Sequence, residues 1–338
     1  MIDLAVVGGG PVGLVTALDA SARGLQVTVL DAREDDGDKA CGEGLMPSAV
    51  AALARLGVDP PGWDVAGIAY VRGRHRAESR FAGPPGRGVR RTALVRALRE
   101  RAAESGVQTS RSKVTRLEEV AGGLRAGPVE ARYVAVADGL HSPLRRSLGL
   151  RVPSRGPDRY GLRRHYARSP WTDCVEVHWA RNAEAYVTPV AADEVGVAVL
   201  GPPGPGFEHR LASFPELLDR LGAASPSSRV RGAGPLRQNA SARVAGRALL
   251  VGDAAGYVDA LTGEGMAVGF AAASELVSCV VNDDPQRYEA AWQRVTRRPR
   301  WLTEALLQAT RVSALRRGLV PAAQRVPRAF DAAVHALA

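Results

Sequence analysis

The chain opens on an apolar run, Ile2–Val7, that breaks at a glycine-rich turn from Gly8 to Gly13. Apolar positions then recur with helical spacing from Leu14 to Arg23, and a second apolar run from Leu25 ends in the acid Asp31. Short apolar runs bounded by glycine read as buried strands, and a 3.6-residue recurrence reads as a helix. The opening is therefore a strand–turn–helix–strand unit of about 30 residues, the size of a βαβ motif.

Beyond it the pattern changes twice. The segment from Asp35 to Pro61 reads as a loop followed by the helix PSAVAALARLG, and residues 65–90 alternate like short antiparallel strands. RTALVRALRERAAESG puts Leu94, Val95 and Leu98 on one helix face. Strands follow over VQTSRSKVTRLEEV and GLRAGPVEARYVAVAD, the latter ending at Asp138. From Tyr160 to Leu200 four alternating segments predict an antiparallel meander. After a Ser/Pro-rich break, RALLVGD returns to a buried strand and leads into a Gly/Ala-rich helix. From Pro285 the chain reads as helical and Arg-rich, with interruptions expected at Pro299, Pro321 and Pro327. The order predicts an α/β fold: a Rossmann-like dinucleotide domain (1–64, 88–158 and 240–284), interrupted by an antiparallel β-sheet substrate domain (65–87 and 159–239). A C-terminal helical segment (285–338) follows.

Chemistry enters first at the glycine turn. Gly8, Gly10 and Gly13 have G-x-G-x-x-G spacing. The first glycine permits the tight turn, the second lets a diphosphate approach the backbone, and the third lets helix and strand pack closely. The helix start then faces the phosphates. An acid about 20 residues on, at a strand end, suits the ribose hydroxyls; Asp31 stands there, with Arg33 two residues later as a candidate adenine or diphosphate contact.

Four further stretches carry a resemblance. RTALVRAL begins at Arg91, and ADGLHSPLRRSLG holds Asp138, Gly139, Ser142 and Arg145. LLVGDAAGYVDALTGEGMAVGFAAA holds Gly252, Asp253, Gly263, Gly265 and Met266, and KACGEGL holds Cys41, Gly42 and Glu43. With the glycine turn, the first three of these stretches come in family order over residues 6–273, and the chain resembles the superfamily of p-hydroxybenzoate hydroxylase and geranylgeranyl reductase. The resemblance implies a glutathione-reductase-type FAD-binding domain, FAD as cofactor and NAD(P)H as reductant. It places Arg91, Asp138, Gly139, Gly252, Asp253, Gly263, Gly265, Met266, Cys41 and Gly42 at the flavin. KACGEGL matches the K-x-C-G-x-G-L loop of geranylgeranyl reductase-like proteins. A cysteine nucleophile needs an electropositive setting and often a base. No histidine is close to Cys41 in sequence, so a wall residue facing flavin or substrate is the better reading.

The reaction type is contested between two readings. Prenyl reductases of this superfamily carry Y-x-W-x-F-P in the substrate sheet, whereas here AYVTPV keeps Tyr186 and Pro189 and replaces the Trp and Phe. Ala260 also stands where proline is usual, although the GEG around Glu264 is closer to the reductases. On balance the sequence favours an NAD(P)H-dependent monooxygenase acting on an apolar aromatic, polyketide- or terpenoid-like molecule. A C=C reductase of a prenyl or other lipophilic substrate is the alternative, and a non-catalytic flavin-binding protein is the reading from another class. The W-x-W-x-I-P segment of flavin halogenases is absent. Pocket candidates are Cys41, Glu43, His178 and Tyr186, with His165 and Trp179 beside them. Glu176 and His178 share one strand face, and Val175, Val177 and Trp179 the other; alternation does not say which face meets the flavin.

Composition narrows the partners. The 338 residues carry a net charge of +10, and every basic residue except Lys39 and Lys113 is arginine. The arginines form no block and no aromatics interleave them, so nucleic-acid binding is not expected. Three cysteines without C-x-x-C spacing predict neither a disulfide framework nor a zinc site. A strand pattern from Ile2 leaves no room for a signal peptide, and a cytoplasmic location is expected. The C-terminal helix reads first as a packing element over the FAD domain. Its other reading, peripheral membrane contact, is an amphipathic surface helix carrying Leu302, Leu306 and Leu307.

Overall fold

The fold is described from a computed structural model for residues 1–33 and 37–336. The loop expected from Asp35 therefore starts outside the described residues. The strand Ile2–Val7 lies at the middle of a parallel sheet, flanked by Val129–Val136 on one side and Val27–Asp31 on the other. Ala248–Leu250 and Gln108–Arg111 extend it outward, also in parallel. Leu4, Ala5 and Val6 are fully buried, as in a parallel sheet covered on both faces. The helix Pro11–Ala22 packs against Arg91–Glu104 and Gly265–Val281. Proline at its first position supplies a fixed helical φ where no hydrogen-bond donor is needed.

The second sheet has the strand order 231–233, 160–167, 194–201, 184–191, 174–179, 67–72, 75–80. Its pairings are antiparallel except between Cys174–Trp179 and Gly67–Arg72. The fold class is thus mixed α/β with parallel and antiparallel sheets and C-terminal helices, as the sequence predicts.

Alternation sorts this sheet into two faces. Ala185, Val187, Val195, Val197 and Val199 lie under two short helices, Phe207–Leu211 and Pro215–Leu221, which the sequence pattern did not announce. Five large apolar side chains in 15 residues, from Phe207 to Leu221, dock them there. The opposite face carries Val177, Trp179, Tyr186, Ala198 and Leu200, packed against Val258 and Leu261 of the segment after the GDAAG turn.

Two expectations are corrected. GLRAGPVEARYVAVAD is a hairpin, Gly123–Ala126 and Val129–Val136, because Gly127 turns the chain at φ +57°. Only its second strand enters the parallel sheet. Pro299 and Pro321 interrupt nothing: they lie inside the helices Arg287–Arg311 and Ser313–Arg325. Proline removes one backbone hydrogen bond, but the buried stripe Tyr288, Trp292, Thr296, Thr303, Leu307 continues across it. The Thr303 hydroxyl also donates to the Pro299 carbonyl at 2.9 Å. The breaks fall at Val312 and Val326, and Pro327 opens the last helix, Pro327–His335.

Candidate functional site

At the glycine turn the need for glycine is geometric. Gly8 has φ +116°, and a Cβ there would lie 2.3 Å from the Ala137 carbonyl oxygen. A Cβ on Gly13 would lie 1.9 Å from the Gly8 oxygen. At Gly10 the space is open, with the Arg91 guanidinium 3.7 Å from the Cβ position. The Gly9 amide donates to Asp31 Oδ2 at 3.1 Å, which ties the acid to the turn.

Cations crowd this groove. Arg33 grips Asp31 through Nη2–Oδ2 at 3.0 Å and Nε–Oδ1 at 3.2 Å, and its Nη1 is buried without a partner among the described residues. Arg91 donates from Nε to the Gly37 carbonyl at 3.0 Å. Lys39 Nζ lies 3.8 Å from where a Cβ on Gly139 would be, and burial, then Arg33 and Arg91, push its ammonium below the ordinary lysine range. Crowded, partly desolvated cations beside a helix start favour an anion. Across the groove stands Asp253, in the single turn Gly252–Ala255. Burial pushes its carboxyl up against the pull of Arg91, Lys39 and Arg145, and it accepts no hydrogen bond among the described residues. The donor set fits FAD: Gly8–Gly13, Lys39 and Arg91 would hold the diphosphate, Asp31 the ribose, and Asp253 the ribityl hydroxyls. When bound, FAD supplies two-electron redox chemistry.

Arg145 organises the wall and was not among the candidate site residues. It is 1% exposed. Its Nη1 donates to the Asp253 and Ala254 carbonyls at 3.2 and 3.0 Å, and its Nη2 to the Leu140 carbonyl and Gln238 Oε1 at 2.8 and 2.9 Å. One buried guanidinium thus clamps the ADG turn to the GDAAG turn. Asp138 accepts the Leu144 amide at 3.1 Å, so one of its oxygens serves its own turn. Gly252, Gly139 and Gly263 have φ of +62°, +88° and +72°. Gly265 opens the following helix against the Tyr257 ring, and Met266 packs on the core of the FAD-binding sheet.

The loop Lys39–Gly44 crosses from this groove to the second sheet. The Gly42 carbonyl accepts from Thr188 Oγ1 at 2.7 Å. Cys41 is half-buried, its Sγ accepts the Glu43 amide at 3.4 Å, and burial pushes its thiol up, so it is undissociated at neutral pH. Glu43 is 2% exposed and sits at φ +59°, a conformation that costs a non-glycine residue about 1–3 kcal/mol. Its Oε1 accepts the Arg91 amide at 2.8 Å and its Oε2 bonds His165 Nε2. Arg163 Nη1 lies 3.1 Å from His165 Nδ1, and a guanidinium cannot accept. Nδ1 is therefore the acceptor, and the His165 proton sits on Nε2, facing Glu43. Arg163 also bonds Asp38 and the Lys39 carbonyl. Glu43 is thus the buried hub joining the loop to the sheet, with both oxygens occupied, rather than a pocket acid.

The sheet candidates separate by face. His178 is corrected: it lies on the face away from the GDAAG segment, bonded to Glu176 Oε2 at 3.1 Å. Trp171, Arg76 and Arg220 also hold Glu176. Burial would push that carboxyl up, but hydrogen bonds from His178, Trp171 and Arg76 hold it down at about 2. Tyr186 does face the GDAAG segment, with its hydroxyl donating to the Leu261 carbonyl at 2.5 Å.

A small cavity adjoins this region, between residues 252–265 and the helix Arg287–Arg311, and Glu264, Thr262, Arg300 and Trp292 line it. Glu264 is 5% exposed, and its Oε2 has no partner among the described residues. Burial pushes its carboxyl to about 8, against a Thr262 hydrogen bond and the charge of Arg298. Unfolded, this group titrates near 4.5, so the native state holds the extra proton. The stability linked to that proton is complete below pH 4.5 and is lost as pH rises to 8. Glu264→Gln is expected to flatten that fall and to be more stable than wild type at pH 8 by about 1–3 kcal/mol. Denaturant titrations at pH 5 and pH 8 check it; equal pH slopes for both proteins would show the carboxyl ionises freely.

The comparisons with known proteins agree with this geometry. The family model described as FAD binding domain (FAD_binding_3) matches residues 1–282. A menaquinone reductase of Mycobacterium tuberculosis is 30% identical over 308 residues, covering 79% of this chain and 73% of that protein. Digeranylgeranylglycerophospholipid reductase 1 of Methanopyrus kandleri is 29% identical over 330 residues, covering 86% of each. A flavoprotein/dehydrogenase structure from Cytophaga hutchinsonii superposes with a TM-score of 0.80 at 19% identity, over 93% of this chain and 87% of that one, and shares the fold. With a turn, an acid and a cationic groove that fit FAD, and a family match over most of its length, this chain belongs to the FAD binding domain family and is an FAD-dependent oxidoreductase of the p-hydroxybenzoate hydroxylase and geranylgeranyl reductase superfamily.

Proposed function

We propose that the protein reduces a C=C bond in a lipophilic, isoprenoid-like molecule, with NAD(P)H as reductant. The observation that carries this reading is the face that the second sheet turns toward the GDAAG segment. That face is apolar: Val177, Trp179, Tyr186 and Leu200 pack against Val258 and Leu261 of that segment. Hydroxylating a phenol calls for a base within hydrogen-bond reach of the phenolic proton. Here Tyr186 is bonded to Leu261, His178 points away, and the Glu184 oxygens are held by Arg159 and Arg316 at 2.6 and 2.5 Å. An isolated double bond asks instead for a dry apolar wall. Reduction adds one hydride and one proton across it, with the electrons drawn from NAD(P)H. Cys41, held as a thiol, is our candidate to keep a proton at the loop. The two reductase relatives support the same choice.

Hydroxylation of an aromatic substrate is the second reading, favoured by the replaced Trp and Phe positions in AYVTPV. Single turnover of the reduced, FAD-loaded enzyme separates the two, with a menaquinone and a geranylgeranyl lipid as probes. A product two hydrogens heavier in its isoprenoid chain, formed without oxygen, is the expected result; a quinol with an unchanged chain does not count. A product one oxygen heavier, formed only with O2, would overturn it in favour of hydroxylation. Bound FAD with turnover in neither condition would favour a non-catalytic flavin protein.

A further inference from the structure

The C-terminal helices have two sides, and two of the leucines expected at a surface, Leu306 and Leu307, are on the inner one. Leu307 is 5% exposed, and Leu306 packs on the apolar cluster of the second sheet. Arg316, from the next helix, is buried on Glu184 and on the Ala180 and Ala183 carbonyls. This segment is therefore fastened to the body of the protein. Its outer side is unusual. Trp301 is 66% exposed, Val312 51% and Leu315 56%, and all belong to one stretch of 15 residues. Positions 301, 305, 308 and 312 fall on one stripe of the helix, which rises about 16 Å from Trp301 to Val312. Leu315 follows in the first turn of the next helix.

Charge surrounds these residues. Between Arg297 and Arg328 the chain carries eight arginines and a single acid, Glu304. That acid is paired with Arg237 at 2.6 Å. Arg297 and Arg298 lie one turn before Trp301, and Arg317 lies two residues after Leu315. All three are exposed, and the charge of Arg298 also reaches Glu264. A fixed scaffold thus presents a large aromatic and two aliphatic side chains beside exposed guanidinium groups. Tryptophan places an apolar ring and one N–H donor at a membrane–water interface. Arginines beside it meet anionic headgroups, at about 1 kcal/mol each, or roughly fivefold in affinity.

We infer that the outer face formed by Trp301, Val312 and Leu315 with Arg297, Arg298 and Arg317 docks the folded, FAD-loaded protein onto an anionic lipid surface. Among the described residues no helix is long and apolar enough to cross a membrane, so the contact is peripheral. The inference does not depend on which bond the enzyme transforms.

The test is flotation of the FAD-loaded chain with vesicles of phosphatidylcholine alone and of phosphatidylcholine mixed with phosphatidylglycerol. Binding is expected to the mixed vesicles only and to weaken with salt. Trp301→Ala should lower that partition roughly tenfold by removing one buried aromatic. The pair Arg297→Gln and Arg298→Gln should lower it about 25-fold. Both variants should keep their FAD and their melting temperature, because the altered side chains are exposed. Equal binding to both vesicle types, or wild-type binding by the variants, would overturn the inference. So would a dimer in solution that Trp301→Ala converts to monomer, since the face would then belong to a second copy.

Discussion

Gly13→Ala is expected to yield a chain that purifies colourless and does not take up FAD. The added Cβ would sit 1.9 Å from the Gly8 carbonyl oxygen and 3.2 Å from the Ala137 side chain. The nearest of these atoms is backbone in the turn itself, so no rotamer change relieves the clash. Either the helix Pro11–Ala22 moves away from its strand or the turn opens, and both displace the amides that face a diphosphate. An extra methylene in a packed core costs about 1–3 kcal/mol; a clash with rigid backbone costs more. Each 1.4 kcal/mol is about tenfold in affinity, so FAD affinity should fall by at least about 100-fold. Flavin absorbance of the purified protein and titration of the apoprotein with FAD measure it. Gly318→Ala is the matched control, because nothing lies within 4 Å of its Cβ position. A Gly13→Ala protein that retains stoichiometric FAD would show that the turn tolerates a shifted helix.

Glu43→Ala is the second large effect, and it falls on stability before chemistry. Removing the carboxylate leaves the Arg91 amide and His165 Nε2 without their acceptor. It also strips a negative charge 3.8 Å from the buried Arg163. Breaking a buried charged network by deleting one member costs about 3–5 kcal/mol. Relief of the positive φ at this position does not offset it, since alanine is no better than glutamate there. Glu43→Gln keeps one carbonyl acceptor and should lose about half as much. Urea denaturation of the three proteins, with FAD content determined in parallel, gives the comparison. If Glu43→Ala were as stable as wild type yet slow in turnover, Glu43 would be a pocket acid after all.

The two substitutions mark different depths of legibility. The glycine turn could be read directly because its strand, helix and acid are close in sequence, although the carbonyl that crowds Gly8 comes from Ala137. Gly8, Gly10 and Gly13 answer to a strand and helix within 20 residues, and Asp31 closes the same unit through the Gly9 amide. Glu43 was visible only as a position in a motif. Its partners, His165 and Arg163, stand more than 100 residues away, on a sheet whose register no local pattern encodes. The motif placed the loop; the contacts assigned the role.

The second sheet makes the same point. Alternation correctly separated Val177 and Trp179 from Glu176 and His178, because successive side chains in a strand point to opposite sides. It could not say which side would face the FAD-binding domain, and so could not place His178. That choice was made by the helices Phe207–Leu211 and Pro215–Leu221, which cover one face and leave the other to Val258 and Leu261. Arg145 was part of a quoted motif, yet its clamp depends on carbonyls more than 100 residues further along.

The C-terminal helices close the comparison. Helical spacing was legible there, but the prolines misplaced the breaks. A proline ends a helix only when nothing else holds it, and here the buried stripe across Pro299 does. The sequence by itself determined the βαβ opening, the FAD signatures and the two-sheet order, because these rest on backbone sterics and periodicity within a few turns of chain. The tertiary structure alone decided which face of the substrate sheet meets the cofactor domain, which acids are hubs, and which C-terminal residues reach solvent. Those outcomes follow from burial of one surface against another, and burial is a property of the packed whole rather than of any segment.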